Sequence, residues 1–184
     1  MSFMRFLGGR SPQPAIDQPP AAAETEAVRH IVARLEALPP ERARFLAGMA
    51  YVLARAAYAD LEISDAETAA MEQELTGSGL DAAQTVLVVE MAKLQEKTTG
   101  GTSDYLVTRE FKELSTPEQR LTLLRACFRV CAADDSISGT ESATLDEIAS
   151  ELDMTGSETA PIRAEFADRI SARLGFGSFS GKQD

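Results

Sequence analysis

The chain has 184 residues, of which 44% are hydrophobic, and a formal net charge of −11. That length suits one domain with tails. The acidic balance excludes nucleic acid as an expected partner, since phosphate binding needs clustered Lys and Arg. No run of about 18 apolar residues occurs, so no membrane-spanning helix is expected.

The first residues lack the apolar core of about 7–15 residues that a secretory signal needs, so a cytoplasmic location is expected. Residues 1–23 hold Pro12, Pro14, Pro19 and Pro20 without periodicity and read as a disordered tail. Phe3, Met4, Phe6 and Leu7 beside Arg5 suit contact with a membrane surface, and a frayed terminus is the simpler reading. From Glu24, helical spacing links Val28, Ile31, Val32 and Leu35 up to Pro39. A longer helix then runs to about Ala59, with Phe45, Met49, Val52, Leu53 and Ala56 as its core stripe.

Ser64 and Glu67 have capping-box spacing and predict a helix start. Asp81 and Gln84 predict another, and the run Val86, Leu87, Val88, Val89 predicts that this is the central, most buried helix. Gly100 and Gly101 break it, within the polar stretch Thr98–Tyr105 whose composition resembles functional loops. A short helix follows over Tyr105–Leu114. Thr116 before Pro117 caps a helix to about Ala133, with Leu121, Leu124, Phe128 and Cys131 on one face. Ser138 and Glu141 form a further box. A last helix is expected over Glu158–Leu174 with Pro161 in its first turn, followed by a flexible tail over residues 175–184. No segment alternates with period 2. The expected fold is a single all-α bundle of about seven helices over residues 24–174.

Cys127 and Cys131 lie four apart on one helical face and read as buried small hydrophobes. Two further soft ligands for a metal are missing nearby. His30, the only histidine, is expected on a solvated surface, which leaves no basis for a zinc triad or a Ser-His-Asp arrangement.

An internal repeat carries the functional signal. The segment from Ala57 matches that from Cys131 with Asp60 against Asp134, an offset of 74 residues, and 6 of 11 positions between 59 and 69 are identical to their partners. The unit is helix, acidic loop, capped helix, and two copies predict pseudo-twofold symmetry. Asp60 and Asp134 close their helices, where a carboxylate opposes the negative end of the dipole. Asp60, Ile63 and Glu67, and likewise Asp134, Ile137 and Glu141, keep the spacing of the second half of an EF-hand loop, whose first ligands are absent here. Leu61 and Asp135 occupy the slot that holds Gly in such loops. Leucine is costly at positive φ, so the first loop is expected to avoid that geometry.

Two roles are open. Asp60, Glu67, Asp134 and Glu141 offer hard oxygens to a weakly bound calcium, magnesium or manganese ion. Alternatively they are caps and turn acceptors, with Ile63 and Ile137 plugging the core. Arg109, Lys112, Arg120, Arg125 and Arg129 form a basic cluster. Either this is a salt-bridged surface or, at Arg109, Lys112 and Arg120 in particular, a dock for an acidic partner.

The pattern A-D-x-x-I-S-x-x-E, present twice, together with LVTREF over Leu106–Phe111 and TPEQR from Thr116, resembles the TerB-like tellurite resistance family over about residues 39–155. The resemblance implies a compact helical domain linked to tellurite resistance and stress responses, with no established catalytic activity. Leu61 and Asp135 depart from the family's frequent Gly. A non-enzymatic protein that acts by binding a protein partner is expected, either with a weak divalent-cation site at the paired acidic loops or as a metal-free scaffold or adaptor.

Overall fold

The computed structural model describes residues 37–99 and 104–170, which form seven α-helices and no strand. They are α1 (Pro40–Ala57), α2 (Asp65–Gly77), α3 (Ala82–Thr99), α4 (Asp104–Leu114), α5 (Pro117–Cys131), α6 (Gly139–Glu151) and α7 (Gly156–Glu165). Short 3-10 turns, Tyr58–Asp60 and Ala132–Asp134, follow α1 and α5. The all-α bundle is as expected. The tails, the helix expected from Glu24, His30 and the Gly100–Gly101 break lie outside the described residues.

Local chemistry sets the helix starts. Pro40 opens α1 at the position where its missing N–H costs nothing. Ser64, Thr116 and Ser138 each accept the amide three residues on, and Glu67, Gln119 and Glu141 reach back to the cap amide. Asp81 and Gln84 make the same reciprocal pair at 2.9 and 3.0 Å.

The central helix is α1, and this corrects the expectation for α3. Helices α2 to α6 all pack on α1, and every residue from Met49 to Ala57 is buried. Small residues explain it. Ala50, Ala54, Ala56 and Ala57 let neighbours approach from all sides, and at Gly48 a Cβ would lie 3.3 Å from the Phe111 ring. In α3 only Val88, Val89 and Ala92 of the apolar residues are buried, while Val86 is 48% and Leu94 64% exposed. Its unbroken apolar run from Val86 to Val89 marks apolarity but no direction.

The last helix also departs from expectation. Thr155 caps α7, its amide donating to Glu158 Oε2 at 2.7 Å, so the helix begins before Glu158 and Pro161 falls inside it on an exposed face. It ends at Glu165 rather than Leu174. The chain then turns back, and the Ile137 amide donates to the Arg169 carbonyl at 2.7 Å, beside a single parallel bridge from Ile137 to Ile170. Phe166 stacks on Phe128 with centroids 5.4 Å apart and seals this end of the core.

Candidate functional site

The two acidic loops have one geometry. Each leaves its helix through a 3-10 turn and reverses at a left-handed residue, Leu61 with φ 72° and Asp135 with φ 71°. The first loop was expected to avoid this conformation, and it does not. A leucine there is strained by about 1–2 kcal/mol, and its side chain is 76% exposed. The strain persists because both ends of the loop are pinned. Asp60 Oδ1 accepts the Glu62 amide at 3.2 Å, and the Ser64 amide donates to Glu67 at 2.8 Å. Asp134 and Glu141 repeat these bonds with Ser136 and Ser138 at 3.2 and 2.6 Å.

The loops also pack on one another's elements. Helix α2 contacts the second turn and α6 contacts the first, as pseudo-twofold symmetry requires. Glu67 and Glu141 are buried at the junction. Burial pushes both carboxyls above their ordinary range, against the opposing pull of the serine hydrogen bonds. The Glu141 and Asp60 charges add to the rise at Glu67, and those of Asp60 and Asp134 add to it at Glu141. The junction is therefore electronegative. It is not a closed cage: among the described residues no three Asp, Glu, His or Cys side chains gather as a metal-holding group. Each carboxylate already serves its own turn or cap. Ile137 is fully buried between the elements, whereas Ile63, expected to match it, is half-buried.

The family model for the tellurite resistance protein TerB matches residues 46–164, from within α1 to within α7 and across both loops. The chain belongs to the TerB family. No curated protein and no solved structure matches it.

Within this TerB domain the basic cluster is largely spent on internal partners. Lys112 pairs with Asp153 at 2.8 Å, Arg125 with Glu165 at 2.9 Å and Arg129 with Glu74 at 2.8 Å. Arg120 donates to the Leu152 carbonyl at 3.2 Å. Arg109 lies over the Tyr105 ring, 5.8 Å from its centroid. The structure thus scatters these charges among separate pairs instead of gathering one patch. Cys127 and Cys131 are buried free thiols, and burial pushes Cys127 up to about 12, so both behave as core residues.

A second polar cluster was missed by the sequence reading. Arg55, buried in the middle of the TerB domain, directs Nε to Asp104 at 3.5 Å, one terminal nitrogen to Glu151 at 2.6 Å and Thr108 at 3.2 Å, and the other to Glu147 at 3.3 Å. Tyr51 donates to Asp104 Oδ1 at 2.9 Å. Glu96 on α3 is 6% exposed and completes the group. Of these, Arg55, Glu96, Asp104 and Glu147 border a cleft of about 360 Å³ where the end of α3, the start of α4 and the first loop meet, with Tyr58, Leu61 and Lys97 on its walls. One signal was available: Glu96 continues the apolar stripe Val89, Ala92 at helical spacing, and an acid on such a stripe is either paired or protonated.

Proposed function

We propose that this TerB domain serves tellurite resistance and the stress response as a non-catalytic binding module that docks a protein partner. One observation carries the reading. At the start of α4, Tyr105 and Leu106 are each 55% exposed, and Arg109 covers the Tyr105 ring. Tyr and Arg beside an exposed leucine are the side chains that dominate binding energy at protein interfaces. This supports docking at Arg109 and its neighbours rather than at Lys112 and Arg120, whose side chains are engaged with Asp153 and the Leu152 carbonyl. A null strain complemented with the wild type should regain tellurite tolerance. The Tyr105→Ser, Leu106→Ser double variant should keep the melting temperature and lose that tolerance. Full protection by the double variant refutes docking at this surface, and no protection by the wild type refutes the role itself.

A second reading is favoured by the raised carboxyls of Glu67 and Glu141. Their electronegative junction would attract a calcium, magnesium or manganese ion toward Asp60, Glu67, Asp134 and Glu141. Affinity would be weak, on the order of 10⁻⁴–10⁻³ M, since the ligand set is poor. Each ion should then raise the melting temperature of the wild type more than that of the Asp60→Asn, Asp134→Asn variant. Equal shifts leave the loops as purely structural clasps.

A further inference from the structure

The floor of the cleft contains a buried carboxyl whose hydrogen bonding does not close if it is ionised. Among the described residues, none donates a hydrogen bond to the buried Glu96 Oε2. Among the described residues, the donors nearest to it are shared with or committed to other acceptors. Tyr51 has one hydroxyl proton, which it donates to Asp104 Oδ1 at 2.9 Å and for which the neighbouring Glu96 carboxyl competes, so it cannot serve both carboxylates at once. The guanidinium of Arg55 serves Asp104, Thr108, Glu147 and Glu151. Lys97 follows Glu96 directly in sequence and is exposed, and successive helical residues do not face each other. Two further elements pack on α3: the first 3-10 turn, whose Tyr58 lines the cleft, and helix α2, which meets it through Thr68 with Lys93 at 3.2 Å and Thr76 with Thr85 at 3.2 Å. A buried carboxylate left without a donor or a paired cation costs several kcal/mol, and the ordinary escape is to hold a proton. Once protonated, Glu96 becomes a donor, and the acceptor beside it is the Asp104 carboxylate.

We propose that Glu96 carries a proton that it donates to Asp104, and that this pair is a pH-operated latch holding α3 against α4 and α1 at the floor of the cleft. Two carboxyl groups side by side cannot both ionise cheaply. The latch joins three helices through three side chains, Tyr51 of α1, Glu96 of α3 and Asp104 of α4. Among the described residues, Arg55 is the cation paired with the surrounding acids Asp104, Glu147 and Glu151. The electrostatics agree with the geometry: burial first, then the Asp104 charge, push the Glu96 carboxyl up to about 7, against the opposing pulls of Tyr51 and Arg55. Burial and the charge of Glu96 also raise the Tyr51 hydroxyl, which therefore stays protonated and keeps donating. When the Glu96 proton is lost, the corner holds one more negative charge and one fewer donor. The end of α3 then loosens, and with it the wall of the cleft.

The sign follows from linkage. A carboxyl raised in the closed state favours closure below its ordinary value of 4.5, and that contribution is lost as pH rises to about 7. Local opening should become easier by roughly tenfold per pH unit across that window and then level off. The test uses the full chain labelled at glutamate side-chain carbons. The Glu96 carboxyl signal should titrate near neutrality. Amide exchange at the end of α3 and the start of α4, corrected for the intrinsic pH effect, should lose protection on the order of a hundredfold between pH 5 and pH 7. Glu96→Gln, which keeps a donor and cannot ionise, should abolish that loss. Titration of Glu96 below about pH 5 overturns the proposal, as does an unchanged loss of protection in Glu96→Gln. The carboxyl titration is read on the wild type and decides the matter even if the variant fails to fold.

Discussion

Replacing Ile137 by Ala measures how unequally the two loops share the core. Ile137 is 0% exposed, and its amide is held by Arg169. Its counterpart Ile63 is half-buried. Truncation to Ala removes three carbons, about 2.4 kcal/mol of transfer free energy at about 0.8 kcal/mol each. At Ile137 a cavity penalty adds to this, because Leu145, Ile148 and Ile162 belong to the same fully buried set and can collapse only in part. The expected loss is about 3–4 kcal/mol. At Ile63 about half the transfer term applies and solvent fills the gap, so about 1–1.5 kcal/mol is expected. Each kcal/mol moves the melting temperature of a domain of this size by about 3–6 °C. Scanning calorimetry should therefore place Ile137→Ala at least about 9 °C below the wild type, and Ile63→Ala about 3–9 °C below. Equal losses at the two sites, or a larger one at Ile63, would refute the assignment of the second loop as the buried one.

Two further outcomes follow from the same structure. Leu61→Gly should stabilise the protein by up to about 1 kcal/mol in urea melts, since it relieves a left-handed leucine whose side chain is solvent-exposed and the entropic cost of glycine offsets only part of the gain; a loss of stability would show that the Leu61 side chain makes contacts the fold requires. Global stability should fall from about pH 4.5 to pH 7 because Glu96, Glu67 and Glu141 all favour their protonated forms in the fold; the Glu96 share is up to about 3 kcal/mol, and a Glu96→Gln urea series across that range should show a correspondingly flatter decline.

What was legible in the sequence was what is decided within a few residues. A capping box needs only a hydroxyl and a carboxylate three positions apart, so Ser64, Thr116 and Ser138 announced their helices correctly. The repeat announced the paired loops for the same reason. Burial is decided by the partner surfaces, and there the reading failed. The apolar run Val86–Val89 of α3 suggests the centre of the fold, while the alanines of α1, which look undistinguished in a sequence, allow five helices to crowd around one. Pro161 was read through its usual rule, yet the Thr155 and Glu158 box starts α7 early and leaves the proline inside. Leu61 was read through its intrinsic cost at positive φ, yet bonds at both ends of the loop hold it there. The Arg55 cluster draws on residues from α1, α3, α4 and α6, and no local pattern joins them.

The departures from symmetry between the two halves point the same way. Arg55 and Arg129 are equivalent in the repeat, but Arg55 is buried among four acceptors whereas Arg129 sits at the surface with Glu74. The second half has its Ile137 sealed by the returning chain and its helices closed by the Phe128–Phe166 stack. The first half has a half-buried Ile63, an exposed and strained Leu61, and a cleft along its turn. Strain and incomplete burial lower the free energy needed for local opening, so the first half is the one expected to move. The buried Glu96 lies at that same cleft, and the exposed Tyr105 and Leu106 begin the helix that follows it. A duplicated unit explains how both properties fit in one small domain. The second copy supplies the stability, which leaves the first free to hold a site that responds to its surroundings.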